Sequence, residues 1–186
     1  MLSPEDKSAV ARHRAALTEW LAGDRSEPFV VPRSERYCVC ETIFTGHGPD
    51  LVIGIRLVVM WFVNAVPLSS VKVSLLRLLG ARIGRDVYIS PETYIDPLYP
   101  QLIELEDGVL LGIGSRVMTH EYSVKEFRLG RVRIGKHSVL GGFSTVRCGV
   151  TIGERANVGF NSFVNRDVPD DDSVGGVPAK SLKGKD

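Results

Sequence analysis

Aliphatic residues recur every six positions from Ile83 to the C-terminal region of the chain. The hexads read IGRDVY, ISPETY and IDPLYP, then LEDGVL, LGIGSR and VMTHEY after a shift of four residues, and IGKHSV, LGGFST, VRCGVT, IGERAN, VGFNSF and VNRDVP after a longer interruption. The first position is always aliphatic, the second is Gly in six of the twelve hexads, and the fifth is usually small or β-branched. This period does not match the 3.6-residue turn of a helix, but it fits a short strand followed by a corner.

Three such sides close one triangular coil of about 18 residues, as in hexapeptide β-helices. The pattern predicts that the first position points into the prism and that a small fifth position fits near the corner. We expect Gly at the second position to relieve crowding where the backbone bends. Twelve hexads give about four coils, with Val174 starting a partial fifth, and coils must stack to bury their faces. The period alone does not determine the handedness.

The N-terminal residues follow a helical pattern. Residues 4–22 read as an amphipathic helix with Ser3 as N-cap, and residues 24–50, rich in Pro and Gly, read as an extended connection. Residues 51–66 are the most apolar stretch of the chain, yet they are shorter than a membrane span. We expect a helix there, buried against the prism or a neighbouring subunit, with contact to a membrane surface as the alternative. Ser69 or Ser70 is expected to cap a second short helix.

Composition narrows the class of protein. The 186 residues contain 23 Lys and Arg against 22 Asp and Glu, so the net charge of +1 gives no reason to expect nucleic-acid binding. The N-terminus is polar and charged and does not resemble a signal peptide. Cys38, Cys40 and Cys148 are interpreted as reduced thiols of a cytoplasmic protein.

The interruption of the repeat, near residues 119–133, is where function is expected, because a long loop in a regular prism does nothing for the fold. His120 opens it, and histidine is the side chain best suited to act as a base at neutral pH. His13 falls in the first helix, His47 in a Gly-rich turn, and His137 at an outward position of a hexad.

The partner that would orient His120 stays open at this point. Glu121 is adjacent in sequence and points away on an extended chain. Glu126 or a backbone carbonyl could serve equally. Asp96, which precedes Pro97, reads as a turn residue on its chemistry alone.

The repeat, its single long interruption carrying His120 and the closing segment Ser173–Lys180 (SVGGVPAK) resemble those of the hexapeptide-repeat acyltransferases. The resemblance covers roughly residues 80–186 and is greatest to the galactoside, maltose and polysaccharide O-acetyltransferases. It implies a mainly β fold, a left-handed parallel β-helix over residues 81–186 with an inserted loop and a C-terminal tail. It also implies a homotrimer. Residues 1–80, outside the resemblance, read from their own pattern as an N-terminal helical and extended appendage.

The resemblance also implies roles for particular residues. His120 would be the general base and Asp96 would contact the acceptor, while acetyl-CoA would be the acyl donor. Six residues would hold it: Gly142, Phe160, Asn165, Arg166, Lys180 and Lys183. Two positions depart from the family pattern, since Phe160 replaces a small residue and Val139 stands where several members have Trp. An oxyanion donor is expected at the Gly141–Gly142 corner.

These features favour an acetyl-CoA-dependent O-acetyltransferase that acts on a sugar hydroxyl by direct transfer. Within acyl transfer, the acceptor could instead be an antibiotic, an amino sugar or an amino acid, and the donor could carry a longer acyl chain on CoA or a carrier protein. A zinc enzyme of the same fold is disfavoured, because no two histidines lie a few residues apart. A non-catalytic scaffold would need neither His120 nor the basic tail. No metal and no membrane span are expected.

Overall fold

A computed structural model describes residues 4–32, 50–123 and 125–183. Three α-helices precede the repeat: α1 (Pro4–Ala22), α2 (Asp50–Ala65) and α3 (Ser69–Leu78). A short 3-10 helix spans Pro100–Leu102. All other regular structure described is β. Within these residues no helix is long and apolar enough to cross a membrane.

The repeat folds into a triangular prism whose three faces are parallel sheets. The first face contains β2 (Arg82–Ile83), β5 (Ile103–Leu105), β10 (Val132–Ile134) and β13 (Thr151–Ile152). The second contains β3 (Tyr88–Ile89), β6 (Leu110–Leu111), β11 (Val139–Leu140), β14 (Asn157–Val158) and β16 (Ser173–Gly175), with β17 (Lys180–Ser181) antiparallel at its edge. The third contains β4 (Tyr94–Ile95), β7 (Arg116–Val117), β12 (Thr145–Val146) and β15 (Phe163–Val164).

The interior follows the hexad pattern. Every first-position residue from Ile89 to Val164 is buried, and the fifth positions Thr93, Ser115, Ser138 and Ser144 are completely buried. The partial fifth coil begins earlier than expected, because Val168 already bridges to Ile152 on the first face and Val174 lies on the second.

The expected reason for Gly at the second position is only partly right. The left-handed backbone of the corners falls at the fourth position, as in His137 (φ 57°) and Phe143 (φ 57°). Gly at the second position instead allows neighbouring coils to approach. A Cβ on Gly141 would lie 2.5 Å from the Val158 carbonyl oxygen in the next coil.

Helices α2 and α3 close the open N-terminal edge of the prism, where the first coil has no preceding coil to pair with. Arg77 donates to Ile83 O at 3.0 Å, and the buried Lys72 Nζ donates to the carbonyl oxygens of Ser90 and Thr93. The Ser69 hydroxyl accepts from the Ile89 N–H at 2.9 Å. The expectation that Ser69 or Ser70 caps the helix is wrong, because Leu68 is the N-cap residue and it makes no side-chain cap bond.

The interruption of the repeat is an ordered hairpin. Strands β8 (His120–Tyr122) and β9 (Glu126–Leu129) pair antiparallel, and β1 (Phe29–Pro32), within the region expected to be an extended connection, pairs with β9 as a third strand. A second core lies beneath this sheet, formed with α1 by Val10, Leu17, Val31, Tyr99, Leu102, Phe127 and Leu129. The N-terminal helix and strand therefore help to fix the hairpin that begins at His120. Cys38, Cys40 and His47 lie outside the described residues, and the division of the chain at residues 80 and 81 stays a prediction.

Candidate active site

His120 and Asp96 form a close pair at one corner of the prism. The register that pairs Ile95 with Val117 places Asp96 one coil below the start of the hairpin. Asp96 Oδ2 lies 2.5 Å from His120 Nδ1, and the two side chains are 0% and 17% exposed. Oδ2 also accepts the backbone N–H groups of Thr119 (2.8 Å) and His120 (3.0 Å), and Oδ1 accepts that of Leu98 (3.0 Å). Asp96 is thus fixed by backbone donors on both sides of the corner.

These contacts determine the charge of Asp96. Burial by itself raises the pKa of this carboxyl group. The hydrogen bond and charge of His120, together with the N–H groups of Leu98 and Thr119, outweigh burial and hold the pKa of Asp96 below its ordinary value. An ionised carboxylate is an acceptor only, so His120 donates its Nδ1 proton to Asp96. In that tautomer the lone pair is on Nε2, which is the arrangement that a general base requires.

Two aromatic rings lie beside His120, and the nearby carboxylates in the sequence are engaged in ion pairs. The ring of Phe127 is stacked at 6.3 Å between centroids, and that of Tyr122 meets His120 edge-on at 5.8 Å. Glu121 forms a bidentate ion pair with Arg147. Glu126, the other carboxylate considered as an orienting partner, contacts Arg128. Asp96 is therefore the side chain that contacts the His120 ring nitrogen, the partner that the sequence left open. Its buried carboxylate faces His120 rather than solvent.

The residues expected to contact acetyl-CoA fall on two edges of the third face. Gly142 and Phe160 lie together at the corner before that face, where a Cβ on Gly142 would come within 2.6 Å of the Phe160 ring. Asn165 and Arg166 follow β15, at the corner after the face and on the same side as His120. The Gly141 N–H is donated to Val158 O at 2.8 Å, so Gly141 is not available as an oxyanion donor.

The three expected cations are exposed. Lys183 Nζ lies 3.7 Å from Asp172, whereas Arg166 and Lys180 form no ion pair among the residues that the structure describes. Lys180 directly follows Ala179, whose N–H donates to Phe163 O, so the tail reaches the third face before Lys180 joins the edge of the second face in β17. Arg166 and Lys180 are thus exposed cations of the kind that the phosphates of CoA require.

Other polar candidates are not placed for chemistry. Cys148 is buried, and burial raises the pKa of its thiol to about 12, so it is not a nucleophile at neutral pH. His137 is an exposed corner residue. Over the described parts of the chain, no three His, Cys, Asp or Glu side chains are grouped to hold a metal ion.

Relatives were found by comparison with known proteins. The family model "Bacterial transferase hexapeptide (six repeats)" matches residues 131–166. The putative acetyltransferase YvoF of Bacillus subtilis is 29% identical over 139 residues, which cover 74% of this chain and 81% of that protein. Protein CapG of Staphylococcus aureus is 34% identical over 117 residues, which cover 58% of this chain and 68% of that protein.

Solved structures share the fold. A hexapeptide-repeat acetyltransferase from Vibrio cholerae, solved with acetyl coenzyme A, superimposes with a TM-score of 0.60 at 23% identity, over 75% of this chain and 90% of that one. A maltose O-acetyltransferase from Clostridium difficile gives 0.57 at 18% identity over the same shares. The architecture is the left-handed parallel β-helix. Repeat, prism and relatives agree, and the chain belongs to the hexapeptide-repeat acetyltransferases.

Proposed function

We propose that this chain transfers the acetyl group of acetyl-CoA to a hydroxyl group of a carbohydrate, with His120 as the general base. The observation that carries the proposal is the contact between the buried Asp96 carboxylate and His120 Nδ1. This contact leaves Nε2 as the proton acceptor of a partly exposed ring. A non-catalytic scaffold would not require a buried carboxylate that three backbone N–H groups hold against a histidine.

The reaction needs no acyl-enzyme. His120 Nε2 takes the proton of the acceptor hydroxyl as its oxygen attacks the thioester carbonyl carbon. The C–S bond of the resulting tetrahedral intermediate breaks, and the imidazolium returns its proton to the departing thiolate of CoA. Asp96 stabilises the charged ring during this step and keeps its orientation. Holding both substrates together supplies the remaining acceleration.

The donor side of the proposal rests on the tail and the third face. Arg166 and Lys180 offer charge to the phosphates of CoA, and Lys183 adds a third cation near Asp172. Phe160 is 70% exposed and covers Gly142 with its ring. A CoA arm that passes this corner would contact an aromatic face, where the family more often leaves open backbone. Asn165 stays a proposed contact on the opposite edge of the same face.

The acceptor side rests on the hairpin. Tyr122 is half-exposed beside His120 and packs against Phe127 with a centroid distance of 4.9 Å. A rigid aromatic face next to a base suits the apolar side of a sugar ring. The resemblance to sugar O-acetyltransferases points the same way. Asp96 itself is too deeply buried to contact an acceptor, so its proposed role is to orient His120 instead.

A homotrimer is part of the proposal, because the proposed base and the proposed oxyanion corner lie apart within one chain. His120 and Gly142 lie at opposite edges of the third face, and a strand with its corners spans roughly 10 Å or more. A base and an oxyanion donor must both lie about 3 Å from the reacting atoms. Closed threefold symmetry would bring the His120 edge of one prism to the Gly142 edge of the next.

The test is the release of CoA from acetyl-CoA in the presence of a panel of sugars, amino sugars, amino acids and aminoglycosides. We expect turnover with a sugar hydroxyl, and a loss on the order of 100-fold or more in His120→Ala. His137→Ala is the control, since it removes an exposed histidine that lies outside the candidate site and should keep activity. Full activity in His120→Ala would remove His120 from the mechanism, and turnover only with amines would identify an N-acetyltransferase.

A further inference from the structure

Strand β4, which directly precedes Asp96, lies at the open edge of the prism. The N–H groups of Tyr94 and Asp96 point toward the second coil, where they donate to Ser115 O (2.8 Å) and Val117 O (3.0 Å). Because polar groups alternate along a strand, the N–H and C=O of Ile95 point the other way. No coil lies on that side. These two peptide groups directly precede Asp96, so whatever holds them also holds the start of the candidate active site.

The side chain of Asn64 takes the place of the missing strand. Its Nδ2 donates to Ile95 O at 3.0 Å, and its Oδ1 accepts the Ile95 N–H at 2.9 Å. One amide thus reproduces both bonds that a neighbouring strand would make. Asn64 lies in the last turn of α2, and the buried side chains of Met60 and Val63 anchor that turn against the core of the prism. The donor and acceptor are therefore presented from a fixed position.

We propose that Asn64 is a positioning residue for the Asp96–His120 pair. The proposal rests on the function proposed above and extends it to the helical cap, where the sequence offers no catalytic motif. The Asn64 amide fixes the peptide groups on both sides of Ile95, and this fixes the backbone from which the Asp96 carboxylate reaches His120 Nδ1. Without it, the end of β4 is held only from the second coil, and the carboxylate can move away from the ring. A displacement of about 1 Å at such a contact is enough to lower turnover strongly.

The structure supplies a matched control for this role. Ser69 makes the same kind of edge bond in the same cap, to the Ile89 N–H at 2.9 Å, but it does so on β3, which carries none of the site residues. Ser69→Ala and Asn64→Ala both remove polar groups from the edge of the first coil. A purely structural role for Asn64 predicts that both variants lose stability and keep their kinetics.

The first measurement is steady-state kinetics of acetyl transfer in the full-length variants. We expect kcat of Asn64→Ala to fall about tenfold or more with the KM for acetyl-CoA unchanged, because the Asn64 amide bonds Ile95 and none of the residues proposed to hold the donor. Ser69→Ala should retain kcat within about twofold. If Asn64→Ala does not fold, Asn64→Leu serves instead. Its side chain has a similar volume and a high helix propensity, and it also removes both bonds.

The second measurement does not depend on activity. NMR spectra of protein labelled with ¹⁵N-histidine, assigned with His120→Ala, report which ring nitrogen of His120 carries the proton. We expect the Nδ1–H form in the wild type and in Ser69→Ala, and a mixture of both forms in the Asn64 variants. Unchanged His120 nitrogen shifts, or equal kcat in Asn64→Ala and Ser69→Ala, would overturn the proposal. If His120→Ala is itself fully active, the function fails, and the NMR comparison still decides whether Asn64 positions the pair.

Discussion

At the scale of single residues, the site depends on the Asp96 carboxylate, whose burial and hydrogen bonds have opposite effects on its charge. Burial disfavours the charged form of Asp96, and the hydrogen bonds from His120 and three backbone N–H groups restore it. Such a group is costly to leave incompletely bonded, because a buried charge without partners loses its hydration with no compensation. The same contacts that make Asp96 an orienting group therefore make it a stabilising one.

The lowered pKa of Asp96 predicts a pH-dependent contribution to stability. A carboxyl group whose pKa is lower in the folded state stabilises the protein above its unfolded value, ordinarily 3.8, and the contribution is lost as the pH falls through the folded value. The melting temperature of the wild type should thus exceed that of Asp96→Asn most at pH 6–7, and the gap should narrow below about pH 4. A gap that stays constant from pH 7 to pH 3 would show that the charge of Asp96 is not involved.

At the scale of elements, the repeat works because coils approach each other closely. The second-position glycines meet backbone of the next coil, and the fourth positions absorb the left-handed corners. The interruption gains its order from outside the repeat, since β1 extends the hairpin and α1 covers it. Two different interactions therefore position the site. The register between coils positions Asp96, and pairing with the N-terminal strand β1 positions the hairpin that begins with His120.

Close approach between coils can be tested with two Gly→Ala variants. A Cβ at Gly141 would lie 2.5 Å from Val158 O and 2.7 Å from the Gly159 carbonyl carbon, both rigid backbone atoms, so Gly141→Ala should destabilise by about 1–3 kcal/mol. Gly54 lies within α2 and has nothing within 4 Å, so Gly54→Ala should stabilise by up to about 1 kcal/mol. Chemical denaturation measures both. A neutral Gly141→Ala would mean that the coils are less tightly stacked than described.

The sequence carries most of this architecture. Ile89 and Val117 could be assigned to the core from the period of six, because a prism offers one inward direction per side. The role of Asp96 could also have been found, since counting hexads across the four-residue shift puts Ile95 beneath Val117 and Asp96 beneath the start of the hairpin. The pairing of β1 with β9 could not, because long-range antiparallel pairing leaves no period in the sequence. The Asn64 contact depends on the position of a helix whose docking the pattern does not specify.

At the scale of the whole molecule, the proposed mechanism relies on the proposed homotrimer. Within one prism, a strand and its corners separate the His120 edge from the Gly142 edge of the third face by roughly 10 Å or more. Exposed apolar side chains also remain on the chain, including Trp61 and Phe62 of α2 and Phe160 at the Gly142 corner. An assembly that joins the two edges of neighbouring prisms would complete three equivalent sites.

Mixing two inactive variants tests this assembly. His120→Ala removes the base, and Gly142→Val places bulk at a corner where even a Cβ would lie 2.6 Å from Phe160 Cε1. Trimers of random composition, at three times the 20.4 kDa chain mass, would restore about a quarter of the sites, because each intact site takes His120 from one variant and Gly142 from the other. Activity that stays at the level of the parents in demonstrably mixed trimers would place the whole site in one chain.

A calorimetric titration of acetyl-CoA into the wild type and into His120→Ala is the decisive test of the proposed reaction. We expect saturable binding to both with Kd values that agree within about twofold, because His120 acts on the acceptor while the proposed donor residues Arg166, Lys180 and Lys183 are unchanged. Dephospho-CoA should bind more weakly if those cations contact the 3′-phosphate. Absence of binding to either protein at millimolar acetyl-CoA would contradict the proposed donor, and with it the reaction assigned to His120 and Asp96.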